Sequence, residues 1–183
     1  TMAQKMDAFS AALMADKREI IFAPTVYKFD TFAAMAEEFK LGERDVVLTN
    51  EFIYTPFMKE LGLKCQFVFQ EKFGAGEPSE AMIQTMYDAI PYESYDRVIA
   101  VGGGAIMDLC KLLGCKRPDT VHNLYFKRFP VQHEKDVIAI PTTCGTGSEC
   151  TNISVAIVKD EKDGVLTGGD TKLGLVSDDI IPN

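Results

Sequence analysis

The chain has 183 residues, 46% of them hydrophobic, and a formal net charge of -8. That is enough apolar material for one substantial core, and it excludes a disordered composition. The negative balance argues against nucleic acid or anionic membrane as partners, which need a clustered basic face, but not against a dinucleotide, whose phosphates loop amides and helix ends bind locally.

Met6, Phe9, Leu13 and Met14 fall at near-helical spacing among alanines, so residues 1–20 read as a helical N-terminal extension and 21–183 as one α/β domain. Glu19–Ala23 and Thr25–Tyr27 read as short strands, followed by a helix over Thr31–Phe39 capped by Asp30 or Thr31. Asp45–Thr49 is a strand, Phe52–Leu61 a helix closed by Gly62, and Lys64–Phe69 the next strand. A loop rich in Gly and Pro leads to a helix over Ser79–Ile90, with Glu80 suited to its first turn. Strands alternating with helices imply right-handed βαβ units in a mostly parallel sheet.

Val98–Val101 is an unbroken apolar run of the kind that is buried on both faces. It empties into Gly102, Gly103 and Gly104, after which Ile106, Leu109, Cys110 and Leu113 recur at helical spacing up to Gly114. Strand, tight turn and helix start together make a place where an anion can meet free N–H groups. The dinucleotide fingerprint Gly-x-Gly-x-x-Gly is not satisfied, because its last glycine position holds Met107. Alone, the motif is equally well a glycine turn that packs a helix on a strand.

Residues 116–135 hold Pro118, Pro130 and five basic residues and read as an irregular excursion with one short helix at most; its bases read as a solvated face, and His122 and His133 as surface residues. Val137–Ile140 is another buried-type strand, ending in Pro141 and a run of hydroxyls and glycines. Thr142, Thr143, Thr146 and Ser148 can donate to phosphate or ribose oxygens, while Gly145 and Gly147 keep the backbone close. Two such loops at strand exits are what a cleft for an extended phosphate-bearing cofactor requires. Ile153–Lys159 alternates and runs into a turn over Asp160–Gly164, then a strand-like piece, then a last strand at Leu173–Ser177.

Five cysteines, with no Cys-x-x-Cys pair, favour neither a disulfide framework nor a zinc module and read as mostly buried reduced thiols. Cys144 has no histidine or base beside it to make it a nucleophile. No apolar run approaches the ~20 residues of a membrane span, and no basic start precedes an apolar core, so the cytoplasm is the default location.

The GGGAIMD segment (102–108) followed by PTTCGTGSE (141–149) resembles the paired signature of the iron-dependent (group III) alcohol dehydrogenases. Residues 26–31, 48–54 and 69–79 resemble the 4-hydroxybutyrate dehydrogenase branch, so the likeness runs from about Phe22 onward. It implies the Rossmann-like, dehydroquinate synthase-like N-terminal domain, with the family's helical metal domain absent from this chain.

By that resemblance Gly102, Gly103, Gly104 and Ala105 receive the pyrophosphate. Ala105 stands where many relatives have serine and keeps only its N–H. Asp108 caps or orients the loop, or contacts a ribose or the nicotinamide side; an exposed first-turn carboxylate is the plain alternative. Asn50 stands where many relatives place an aspartate on the adenosine ribose. NAD is favoured, with NADP possible, because no arginine flanks Asn50 and Glu51 opposes a 2′-phosphate. Thr142 and Thr143 face adenine and ribose, and Thr146 and Ser148 the phosphate and nicotinamide side. Asn152 and Lys162 line the nicotinamide end, although Lys162 matches only across a one-residue gap and is equally a hairpin-turn lysine. Leu175 packs on the cofactor.

No catalytic residue and no metal ligand are assigned to this chain. The resemblance places a divalent metal, iron, on residues beyond Asn183, and implies a homo-oligomer acting on a small alcohol or aldehyde, 4-hydroxybutyrate and succinate semialdehyde in this branch. The chain alone is expected to bind cofactor without turnover. Dehydroquinate synthase-like and glycerol-phosphate dehydrogenase-like enzymes on the same architecture, and a non-catalytic nucleotide-binding module, are the alternatives.

Overall fold

The structure, a computed structural model, describes residues 24–183. The helical extension expected over residues 1–20 and the strand over Glu19–Ala23 lie outside the described residues. From Pro24 the elements are α1 (Phe32–Glu38), β1 (Asp45–Thr49), α2 (Glu51–Phe57), β2 (Gln66–Phe69), α3 (Glu80–Ala89) and β3 (Arg97–Gly102). They continue with α4 (Gly104–Leu113), α5 (Val121–Tyr125), β4 (Asp136–Pro141), β5 (Ile153–Lys162) and β6 (Val165–Val176).

β1 to β4 form one parallel sheet in the order β2-β1-β3-β4. Its two faces divide the core by the two-residue period of a strand. Val46, Leu48, Val98 and Ala100 face α3 and α4, where Ile83, Met86, Leu109 and Leu113 are fully buried. Val47, Ile99 and Val101 face the other way, toward Met35 of α1 and Ile53 of α2. Burial on both faces explains why β1 and β3 are unbroken apolar runs. At the sheet's N-terminal edge the Arg97 guanidinium grips Asp45, with Nε 2.7 Å from Oδ1 and Nη2 3.0 Å from Oδ2, so β1 and β3 start in register.

Two helix starts follow from their caps: Thr31 Oγ1 accepts from Ala34 N–H at 3.1 Å, and Ser79 Oγ from Met82 N–H at 3.2 Å. α2 ends early, at Phe57; a 3-10 turn over Lys59–Leu61 completes the expected span, and Gly62 closes it with φ +60°.

Several expectations are corrected. Thr25–Tyr27 is not a strand; it enters α1 as an irregular segment with Val26 and Tyr27 exposed. The last two strand pieces are one strand, β6, twelve residues long and antiparallel to β5, and the turn between them tightens to Asp163 and Gly164, both at positive φ. This hairpin forms its own two-stranded sheet and packs Ala156, Val158 and Leu175 into the α3/α4 side of the core.

The excursion at 116–135 is less solvated than its charges suggest. The Arg117 guanidinium lies 4.0 Å from the Tyr87 ring, and Lys135 Nζ lies 4.0 Å from the Tyr92 ring while donating to Tyr92 O and Tyr95 O. These two cations therefore lie over aromatic faces, where the ring quadrupole compensates lost water. His122 is in α5 and not on an open surface: its Nε2 is 2.9 Å from Glu161 and its Nδ1 3.4 Å from Glu80. Tertiary folding, not sequence neighbours, supplies those carboxylates. Three cysteines, 65, 110 and 115, are buried, while Cys144 and Cys150 are exposed. Among the described residues no helix is long and apolar enough to cross a membrane.

Candidate functional site

β3 and β4 are adjacent, and their ladder ends at the pair Gly102 and Pro141. The glycine turn and the hydroxyl-rich loop therefore leave the same, C-terminal edge of the sheet side by side. Thr142 N–H donates to Gly102 O at 2.9 Å, which joins the two loops at their roots.

The contact is close because the turn lacks side chains. A Cβ on Gly102 would come within 2.6 Å of Ile106, and one on Gly104 within 2.8 Å of Thr146 Cγ2 and 3.0 Å of its Oγ1. A Cβ on Gly103 would meet Thr143 only at ordinary distance, 3.6 Å. So Gly102 and Gly104 are fixed by packing, and Gly103 leaves the approach to the helix open.

α4 begins without a cap. Gly103 offers no side-chain acceptor, and Met107 N–H is the first to reach a main-chain acceptor at this end, Gly103 O at 3.1 Å. The amides of Gly104, Ala105 and Ile106 precede it and have no partner within the helix. Ten residues of aligned peptide dipoles stand behind them.

In front lies an open groove of about 1730 Å³ lined, among others, by Asn50, Gly103, Gly104, Ala105, Thr142 and Thr143. It continues over the β4 side of the sheet past Ile138 and Ile140 to α1 and α2. Asn50 is the N-cap residue of α2, and its amide turns to Glu71, donating from Nδ2 to Oε1 at 3.0 Å.

The remaining expected residues stand elsewhere. Asp108 is not exposed: its carboxylate accepts Ser148 Oγ–H at 2.5 Å and Val155 N–H at 3.1 Å, an orienting role rather than an open one. Burial raises its pKa against the pull of those bonds. Ser148 is buried with its hydroxyl engaged, so it does not face the groove. Thr146 packs on Gly104 and accepts Ser148 N–H at 3.3 Å. Asn152 binds Asp178 at 2.8 Å, Leu175 is covered in the core, and Lys162 pairs with Val165 at the hairpin tip.

Two residues outside the sequence expectations enter the site's frame. Lys111 is 1% exposed. Its ammonium donates to Ser148 Oγ at 2.9 Å, Thr151 Oγ1 at 3.2 Å and Ile153 O at 2.8 Å, with Asp108 Oδ1 at 3.8 Å. The available signal was a lysine inside the otherwise apolar run 109–113, which must find partners if the run is buried. Glu71 reaches the start of α2, and no local pattern announces it.

The sequence profile of iron-containing alcohol dehydrogenases matches residues 23–183. The chain is 44% identical over 158 residues to 4-hydroxybutyrate dehydrogenase of Clostridium kluyveri, covering 86% of this chain and 40% of that protein. It is 27% identical over 118 residues to the probable alcohol dehydrogenase EutG of Salmonella typhimurium, covering 61% of this chain and 30% of that one.

Among solved structures it resembles sulfoacetaldehyde reductase from Bifidobacterium kashiwanohense in complex with NAD+, with TM-score 0.61 and 21% identity over 87% of this chain and 45% of that chain. It also resembles an iron-containing alcohol dehydrogenase from Thermotoga maritima, with TM-score 0.62 and 22% identity over 90% and 45%. These two likenesses concern the fold. The chain thus spans less than half the length of these relatives. The ordered pair of loops, joined at Gly102 and Thr142, lies within the span matched by the family profile, and the chain belongs to the iron-containing alcohol dehydrogenase family.

Proposed function

We propose that residues 21–183 are a dinucleotide-binding unit, with 1–20 an extension, and that the groove between the two loops takes NAD. The observation that carries this reading is the uncapped start of α4 facing a glycine turn that is packed directly against the hydroxyl loop. A diphosphate at that point would accept from the amides of Gly104 and Ala105 at the positive end of the helix. Gly103 lets the phosphate approach, and Thr142 and Thr143 offer hydroxyls along the same wall. Asn50, at the exit of β1, lines the groove where it turns toward α2 and would meet the sugar, and Glu71, just after β2, holds the Asn50 amide from behind.

Bound there, the nicotinamide would supply the acceptor for a hydride leaving an alcohol carbon. Among the described residues, no group of three or more His, Cys, Asp or Glu side chains is placed to hold a metal ion. The metal implied by the family name has no seat among them.

For the whole protein the reading is a metal-dependent, homo-oligomeric NAD(P) alcohol dehydrogenase acting on 4-hydroxybutyrate and succinate semialdehyde. It rests on the 44% identity to the Clostridium kluyveri enzyme. Calorimetric titration of the chain with NADH and NADPH tests the unit directly. With no Trp present, directly excited nicotinamide emission is a clean second reporter. Heat from neither dinucleotide at millimolar concentration overturns the reading. Coupled oxidation of 4-hydroxybutyrate by the whole protein tests the substrate.

A further inference from the structure

The hydroxyl loop has little regular structure of its own. Between Pro141 and Ile153 the chain makes only one short 3-10 turn, Ser148–Cys150, and Gly145 and Gly147 both adopt positive φ. Its root is tied by Thr142 N–H to Gly102 O. Its far end is tied by Lys111.

The Lys111 ammonium has three protons and three acceptors: Ser148 Oγ, Thr151 Oγ1 and Ile153 O. One cation thus grips the loop exit at both ends of a six-residue stretch. Ser148 passes the interaction on, since its hydroxyl accepts from Lys111 and donates to Asp108, whose other oxygen takes Val155 N–H. A methionine would fill that position in α4 without the cost of desolvating a charge. A buried cation with every proton used is therefore a device for fixing geometry, and what it fixes is the loop that faces the glycine turn. Lys111 stands seven residues beyond Gly104, about 10 Å along the same helix. α4 accordingly presents amides at one end and holds the opposing loop at the other.

We propose that Lys111, oriented by Asp108, is the positioning residue that sets the hydroxyl loop against the glycine turn so that one dinucleotide meets both. This rests on the dinucleotide reading above. The groups that face Lys111 are Asp108 on its own helix and Glu149 and Cys150 on the 3-10 turn; Tyr125 of α5 reaches only Ser154. Burial lowers the Lys111 pKa to about 8, against the pull of Asp108, Glu149 and Cys150. Burial raises the Cys150 thiol, so its titration lies above that of an ordinary thiol. Above pH 8 the neutral amine has two N–H bonds for three acceptors and no attraction to Asp108. The loop exit loosens, and affinity for the dinucleotide falls as pH rises.

The test is NADH affinity by nicotinamide fluorescence from about pH 6.5 to about 9.5, together with melting temperature, for the wild-type chain, Lys111→Met, Ser148→Ala and the charge-free double variant Asp108→Asn/Lys111→Met. The expected wild-type profile weakens through one inflection near the Lys111 pKa. Lys111→Met is expected to bind about tenfold more weakly at neutral pH, the scale of one charge-assisted hydrogen bond, and to lack the inflection. If Lys111→Met does not fold, the double variant and Ser148→Ala carry the comparison. A folded Lys111→Met or double variant that keeps wild-type affinity and the wild-type inflection overturns the proposal. So does a wild-type profile without inflection whose variants weaken only in step with their melting temperatures. A wild-type chain that binds no NADH at any pH sinks the dinucleotide reading itself, a different result.

Discussion

Gly104 and Thr146 touch across the two loops so closely that a methyl group on the glycine would lie 2.8 Å from Thr146 Cγ2, 3.0 Å from Oγ1 and 3.2 Å from Cβ. Three atoms of a β-branched side chain cannot all retreat by one rotation. Gly104→Ala should therefore push the loops apart, costing about 1–3 kcal/mol of stability as an overpacking change. NADH affinity should fall with it. Gly103→Ala meets only ordinary contacts and should melt like the wild type, so paired melting curves separate the two positions.

Glu71 adds a second carboxylate to the exit of β1, where Asn50 Nδ2 and Glu51 N–H both donate to its Oε1, at 3.0 and 3.2 Å. A negative charge there disfavours a 2′-phosphate, so the chain should bind NADH more tightly than NADPH. Glu71→Gln keeps an acceptor for both donors and removes the charge. The NADH to NADPH preference should narrow about threefold to tenfold, the scale of one screened charge pair. An unchanged ratio of dissociation constants would remove Glu71 from cofactor selection.

Glu161 on β5 is held by Arg128, whose Nη1 lies 2.9 Å away, and then by His122 on α5, and these hold its carboxyl down to about 2 from an ordinary 4.5. A carboxyl depressed in the folded state stabilises fully above its unfolded pKa, and the contribution is lost as pH falls from about 4.5 toward about 2. Urea unfolding across that window should show a steep acid limb for the wild type and a shallower one for Glu161→Gln. The same limb in both proteins would count against this contact.

The thiols give a direct check on the arrangement of the second loop. Cys144 and Cys150 are exposed and Cys150 lines the groove, whereas Cys65, Cys110 and Cys115 are buried. Burial pushes Cys115 up to about 12, far from its reactive thiolate. An aromatic disulfide reagent should titrate two thiols quickly in the native chain and five in denaturant. Saturating NADH should slow the quick phase; labelling at an unchanged rate would mean that the dinucleotide does not cover this loop.

Local pattern carried most of the sheet. Apolar runs marked β1, β3 and β4 within one or two residues; β1 and β3 are buried on both faces and tolerate no polar interruption, while β4, at the sheet edge, is only half-buried where it borders the groove. Thr31 announced its helix because a cap is a short-range event between a side chain and an amide three residues on, and Ser79, expected as the first helical residue, proves to be the cap itself. Thr25–Tyr27 shows the limit: β-branched and aromatic residues met the strand pattern, but no strand among the described residues pairs with them.

At the site, the residue types in the two loops and their order were legible, since free amides, glycines and hydroxyls are properties of short segments. Their meeting was not. Which side of the sheet Asp108, Ser148 and Leu175 face depends on the β5–β6 hairpin folding back onto α4. Lys111 finds its acceptors 37 to 42 residues further along the chain, and Glu71 reaches Asn50 across 21. Sequence alone determined a parallel sheet with two phosphate-suited turns at strand exits, because periodicity and turn chemistry act over a few residues. Tertiary structure alone decided that Gly102 lies beside Pro141 and that a buried lysine holds the second turn in place, because strand order and charge pairing are set by packing between segments that no local rule connects.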